Sequence, residues 1–165
     1  IALAVPASAE VLGIGKDKAK ATIINASGMI VGTAAFSESK KAGRKGSIRV
    51  KGMTPGDHGI HIHMLGQCEG PKFTSAGGHW NPHGKMHGRD NPQGSHAGDL
   101  PNLTVNRKGR GSLSFAIADA RVKGANGVLD DDGAAIVIHA QSDDNRTDPS
   151  GNSGDRIACG VLVKK

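Results

Sequence analysis

Seven of the eight histidines fall into three local patterns: His61-Ile62-His63; then His79, His83, His87 and His96 leading to Asp99; and a lone His139 behind a hydrophobic run. Neutral imidazole is the commonest protein ligand for metal ions, so the three patterns together predict a metal site. His79, His87 and His96 with Asp99 supply three nitrogens and one oxygen, a set suited to closed tetrahedral zinc. An all-imidazole set on strands suits copper better. The same ligands also serve nickel and iron, so donor chemistry alone leaves the metals open.

The elements that must carry these residues can be read from their neighbours. Gly59-Ile60-His61-Ile62-His63 alternates apolar and polar residues with the period of a strand, which turns Ile60 and Ile62 to a core and both histidines to the opposite face. Ala134-Ala135-Ile136-Val137-Ile138-His139 is a second strand with His139 at its end. Between them, residues 77–99 hold too many Gly, Pro and Asn for regular structure, and a loop this long in a small domain needs something to order it. Further strands are expected over 19–25, 29–36, 47–51, 103–106, 111–117 and 156–163, with 59–63 and 134–140 making eight. Ala26-Ser27-Gly28, Thr54-Pro55-Gly56-Asp57, Arg107-Lys108-Gly109-Arg110 and Asp130-Asp131-Asp132-Gly133 read as turns between them, and only a short turn near Arg121 hints at helix. An all-β sandwich with a core of Val, Ile, Leu and Ala follows, with two long loops, 66–100 and 141–154, framing the histidines.

From about Ala19 to Val163 the chain resembles the Cu/Zn superoxide dismutases. The resemblance is carried by Gly59-Ile60-His61-Ile62-His63, Ser75-Ala76-Gly77-Gly78-His79-Trp80-Asn81-Pro82, His87-Gly88, His96-Ala97-Gly98-Asp99-Leu100 and Gly151-Asn152-Ser153-Gly154-Asp155-Arg156-Ile157-Ala158-Cys159-Gly160, and Cys68 looks like the bacterial branch. It implies an eight-stranded Greek-key β-sandwich or barrel of immunoglobulin-like architecture. It also implies one copper ion on His61, His63, His79 and His139, and one zinc ion on His79, His87, His96 and Asp99. His79 would then serve both metals as an imidazolate, which requires a cation on each side. By the same resemblance Asp143 joins His61 to His87, and Arg156 is the cation that guides the anionic substrate. The implied reaction is the antioxidant conversion of superoxide to dioxygen and hydrogen peroxide, with copper cycling between Cu(II) and Cu(I), and His79 as a proton source. His58 and His83 match no ligand position and are expected at the surface. Met64 and Asp155 stand where many relatives carry Glu and a small residue, and neither replaces a ligand.

Composition accords with this. The 165 residues suit one domain, and a formal charge of +6 with pI near 9.6 suits an anionic substrate. One Trp, three Phe and no Tyr, with scattered Lys and Arg, speak against a nucleic-acid partner. No run of about 20 apolar residues exists to insert in a membrane. Ile1 to Ala9 resembles the end of a secretory signal with Ala7-Ser8-Ala9 as cleavage site, leaving 10–165 as the dismutase domain and placing it in the periplasm or otherwise outside the cytoplasm. Export would let Cys68 and Cys159 form a disulfide. The family reading also allows a homodimer. A metal store on the same scaffold is the rival, but it would need no arginine at position 156 beside copper.

Overall fold

In the computed structural model, which describes residues 17–39, 43–117 and 121–165, the alternating segments form ten strands. The expected leader, residues 1–9, lies outside the described residues. The strands are β1 (Asp17–Asn25), β2 (Ile30–Ser39), β3 (Gly43–Val50), β4 (Gly56–His58), β5 (Ile60–His63), β6 (Leu103–Val105), β7 (Gly111–Ala116), β8 (Ala135–His139), β9 (Arg156–Val161) and β10 (Val163–Lys164). Their hydrogen-bonded order is β4-β6-β7-β3-β2-β1-β9-β8-β5, with β10 added on β1, and every pairing is antiparallel. The two ends of this path, β4 and β5, are one run of chain interrupted only at Gly59, so the sheet nearly closes on itself as a barrel. The links from β3 to β4 and from β7 to β8 join strands that are not neighbours, as in a Greek key.

All eight expected strands are present, and the count rises to ten for local reasons. At Gly59 the run changes partner: its N–H donates to Gln141 O (2.7 Å) and its carbonyl accepts from His139 N (2.9 Å), so β4 pairs with β6 and β5 with β8. The last strand breaks where Leu162 N–H turns to Ala134 O (2.9 Å), after which β10 crosses to β1. The turn expected over Thr54 to Asp57 is therefore half strand, since Gly56 and Asp57 pair with β6 and Thr104 Oγ1 donates to Asp57 Oδ1 (2.6 Å). Among the described residues near Arg121 there is no helix; the helical element described is a single 3-10 turn, Thr74–Ala76.

Ile60 and Ile62 from β5 meet Ile136 and Ile138 from β8 in the barrel interior, with Ile23, Ile48 and Leu103. Aromatic rings contribute more than their scarcity suggested. Phe36 and Phe115 pack edge to face at 5.4 Å, and Phe73 and Trp80 are buried as well. β8 is buried on both faces, because Ala135 and Val137 on its outer side lie with Cys159 under Phe73 and Ala76 of the first long loop. That loop is fastened by the Cys68–Cys159 disulfide, whose sulfurs are 91 residues apart in sequence.

A closed loop of this length restricts the unfolded chain strongly. Replacing both cysteines (Cys68→Ser with Cys159→Ser) is expected to lower unfolding free energy by up to about 4 to 5 kcal/mol in a guanidinium titration. A loss below about 1 kcal/mol would mean that packing of Phe73 and Ala76 alone holds the loop.

Candidate metal centre

β5 is paired on one edge by β8, and its other edge is paired by the long loop. Trp80 N–H donates to Ile62 O (2.8 Å), Ile62 N–H to Gly98 O (2.9 Å), Met64 N–H to Gly78 O (3.0 Å) and Leu100 N–H to Ile60 O (3.3 Å). Backbone groups of a strand left unpaired under a loop would be costly, so these bonds fix where the loop lies. They set His79 opposite His63 and Asp99 opposite His61. A side chain at Gly98 would run into the carbonyl of Ile62, so the close approach requires glycine there. The outward face of β5 and β8 is thus a lined interior: His61, His63, His87, His96, His139 and Asp99 are all buried, and His79 is half-buried.

His61, His63, His79 and His139 each bring a ring nitrogen within 4.8 Å of the others. In three of them one nitrogen is committed and the other has no partner. His61 bonds Asp143 Oδ2 through Nε2 (2.7 Å), His63 donates through Nδ1 to Gly77 O (2.9 Å), and His139 through Nδ1 to Gly154 O (3.1 Å). The remaining atoms, His61 Nδ1, His63 Nε2 and His139 Nε2, are buried without any hydrogen-bond partner. Burial holds these rings neutral, lowering His61 to about 3 against the pull of Asp143, His63 to about 2 and His139 to about 4. Each therefore presents a buried lone pair with no proton, a costly arrangement in isolation and the donor form that a metal needs.

The neighbouring cluster is charged. Asp99 Oδ2 accepts from the amides of Gly88 (2.9 Å) and His96 (3.0 Å), which leaves Oδ1 to face Nδ1 of His79 (3.1 Å), His87 (3.1 Å) and His96 (3.2 Å). His79 Nδ1 and His96 Nδ1 are themselves 3.2 Å apart. Donors on a regular tetrahedron with bonds of about 2.0 Å are about 3.3 Å from one another, and these four distances fall close to that spacing. His61, His79, His87 and Asp99 also lie within 4.8 Å of each other, but His61 commits Nε2 to Asp143, whereas His96 aims at the same oxygen of Asp99 as its companions. Burial opposes charge on His87, yet hydrogen bonds to Asp143 and Asp99 prevail and raise it to about 9. The same contacts hold Asp99 and Asp143 well below the usual carboxylate range despite burial.

Asp143 spans the two clusters, with Oδ2 on His61 and Oδ1 on His87 Nε2 (3.0 Å). Gly151, at φ 62°, crowds this carboxylate so closely that a side chain there would overlap Oδ1. The ring of His79 stacks on His61 at 3.9 Å and lies 5.0 to 5.2 Å from His63, His87 and His96. Arg156, in register with His139, is half-buried and pinned by donating to Phe73 O (2.8 Å) and Gly77 O (2.7 Å). Gly77 O therefore holds both Arg156 and His63. Arg156, Asp155 and Lys72 line one open recess.

The sequence-predicted residues are thus brought together, and His83 is exposed as expected. His58 corrects the expectation of a surface position: it is buried, with Nδ1 2.7 Å from His139 O and Nε2 2.8 Å from Thr54 O, so it fastens the backbone of one cluster residue to the β3–β4 turn. The signal was available, since His58 continues the inward row of Ile60 and Ile62 by one period. Two further residues carried no local signal. Asn102 clamps the backbone of Asp143 reciprocally (2.9 and 2.8 Å), and Asp148 Oδ1 accepts from His87 N (2.6 Å).

Comparison with known proteins agrees with this geometry. Residues 30–162 match the family model for copper/zinc superoxide dismutase. The superoxide dismutase-like protein YojM of Bacillus subtilis is 44% identical over 144 residues, 86% of this chain and 74% of the relative. Superoxide dismutase [Cu-Zn] 2 of Aquifex aeolicus is 41% identical across 88% of this chain and 86% of that protein. Among solved structures, a double mutant of the B. subtilis protein, with histidine in place of a tyrosine and a proline, superposes with a TM-score of 0.82 at 44% identity, covering 87% of this chain and 96% of that one. With two adjoining donor clusters and a matching family profile over most of its length, this chain belongs to the copper/zinc superoxide dismutase family.

Proposed function

We propose that the chain is an exported superoxide dismutase holding one copper ion on His61, His63, His79 and His139 and one zinc ion on His79, His87, His96 and Asp99. The observation that carries this is the trio of buried, unprotonated and unpartnered nitrogens on His61, His63 and His139 beside the fixed cation of Arg156. Copper supplies one-electron exchange, so that two superoxide anions and two protons give dioxygen and hydrogen peroxide, and zinc supplies fixed charge.

This chain's own residues account for the rest. Arg156, immobilised by two carbonyls beside His63 and His139, attracts the anion and orients it. His79 can hold and release a proton on the nitrogen facing the first cluster while Nδ1 stays aimed at Asp99. Asp143 keeps His61 and His87 in fixed orientation, so neither cluster can shift alone. The disulfide and the signal-like residues 1–9 support an oxidising compartment such as the periplasm, and a homodimer is compatible with the family. A metal store is the second reading, favoured only by the B. subtilis relative being named dismutase-like.

Three outcomes test this. Purified protein loaded with both metals is expected to consume superoxide, and His61→Ala to lose copper and activity together; zinc alone with no turnover would refute the enzyme. Arg156→Gln is expected to retain both metals yet lose roughly tenfold in rate and most of the salt dependence, read by stopped-flow decay of superoxide. A store would show metal binding indifferent to this substitution and no turnover in either protein.

The pKa pattern gives a third test. His87 is raised above its ordinary value near 6.5, so its protonated form stabilises the metal-free fold fully below that value and the contribution fades as pH climbs through about 9. Zinc must displace that proton. Near pH 7.5 zinc uptake is expected to release about one proton from His87, measured by calorimetry in buffers of different ionisation enthalpy, and zinc affinity to rise towards pH 9. Uptake without proton release would contradict the charged pairing of His87 with Asp99 and Asp143.

A further inference from the structure

The outer face of the sheet on the far side of the barrel has a character that the metal chemistry does not require. Antiparallel register aligns outward residues of β1, β2, β3 and β7 in three rows: Lys18-Ser37-Lys45-Ala116, Lys20-Ala35-Ser47-Ser114 and Thr22-Thr33-Arg49-Ser112. Lys18, Lys20, Lys45 and Arg49 are exposed, the residues between them are small, and the rows contain no acidic residue. At one end of this face Met29 and Ile30 are each 62% exposed, and they share a recess with Lys51, Lys108 and Arg110.

We propose that this face docks on an anionic lipid bilayer. Cations spread in two dimensions over a sheet face, around an open recess between Lys18 and Lys45, match a surface of negative headgroups, which attracts basic side chains within a Debye length. A linear polyanion needs only a single track, and with no Phe or Trp exposed among the described residues the stacking that single-stranded nucleic acid uses is lacking. Met29 and Ile30, ringed by cations, are placed to enter the headgroup layer once the lysines have brought it near. Among the described residues no helix is long and apolar enough to span a membrane, so the attachment is peripheral. The strand order places β2 and β3 across the barrel from β5 and β8, so the docked face lies opposite the strands that carry His61, His63 and His139. The inference goes beyond the dismutase reading and does not depend on it.

The test is co-sedimentation of the metal-loaded chain with vesicles of phosphatidylcholine, alone or with about one-third phosphatidylglycerol. Binding is expected only to the anionic vesicles at about 0.05 M salt, with release by about 0.5 M. Lys20→Glu with Arg49→Glu, both at exposed positions, should cut partitioning about tenfold or more, whereas Lys85→Glu on the loop face should change it little. Met29→Ser with Ile30→Ser should weaken binding while leaving its salt dependence. Failure of the wild type to bind anionic vesicles at low salt, or binding indifferent to the Lys20 and Arg49 exchange, would overturn the proposal. Capture by soluble polyphosphate without vesicle binding would overturn it too, and reassign the face to a polymer.

Discussion

The carboxylate of Asp143 is the tie on which the centre depends. One oxygen holds His61, which is fixed to a strand, and the other holds His87, which is carried by a long loop. The two rings come from parts of the chain with different rigidity, and a buried carboxylate with both oxygens engaged tolerates little displacement of either. Asp143 is fixed in turn: Asn102 grips its backbone from both sides, Asn145 N–H donates to Oδ1 (2.7 Å), and Gly151 approaches closer than any side chain would permit. The second long loop thereby orders the first, with β8 and β9 as the common anchor.

A second constraint acts through the backbone. The free edge of β5 is satisfied by loop residues 78–80 and 98–100, so hydrogen bonds made to pair a strand also deliver His79 and Asp99 to their places. Arg156 follows the same logic. Its guanidinium is held by Phe73 O and Gly77 O of the loop that the disulfide fastens to β9, and Gly77 O also orients His63. Covalent fastening, loop packing and the position of the guiding cation are therefore one mechanical unit, within which the stability of the loop governs the precision of the charge.

Much of this is legible in the amino-acid sequence, for a physical reason. Period-two alternation records which side of a strand meets the core, so Ile60, Ile62, Ile136 and Ile138 were legible, and the histidines opposite them with it. What was not legible depends on partners remote in sequence. Gly59 looks like any turn residue until Gln141 and His139 bond to it, which is why β4, over residues expected as a turn and its exit, was not legible beside the expected strand that forms β5. His58 matches no ligand position and so reads as a surface residue, although its inward parity is present in the pattern and each ring nitrogen lies within hydrogen-bond distance of a backbone carbonyl there. Asn102 had no signal, since its value lies wholly in a contact 41 residues away.

Charge is distributed to match these two sides of the barrel. Around the donors, Asp99 and Asp143 are consumed by histidines and amides, and Arg156 shares its recess with Lys72. Asp155 precedes Arg156 in the chain and lines the same open recess but is solvent-exposed, where screening weakens its field relative to a guanidinium pinned by two carbonyls. Across the barrel, the lysines of β1 and β3 lie on a solvated surface where their charges repel and add nothing to folding. Cations on β3, across the barrel from β8, are separated from the histidines by the core, and their fields are screened within about 8 Å at physiological salt. Their concentration there, in rows free of carboxylates, is therefore better explained by something that meets that wall than by the chemistry of the centre.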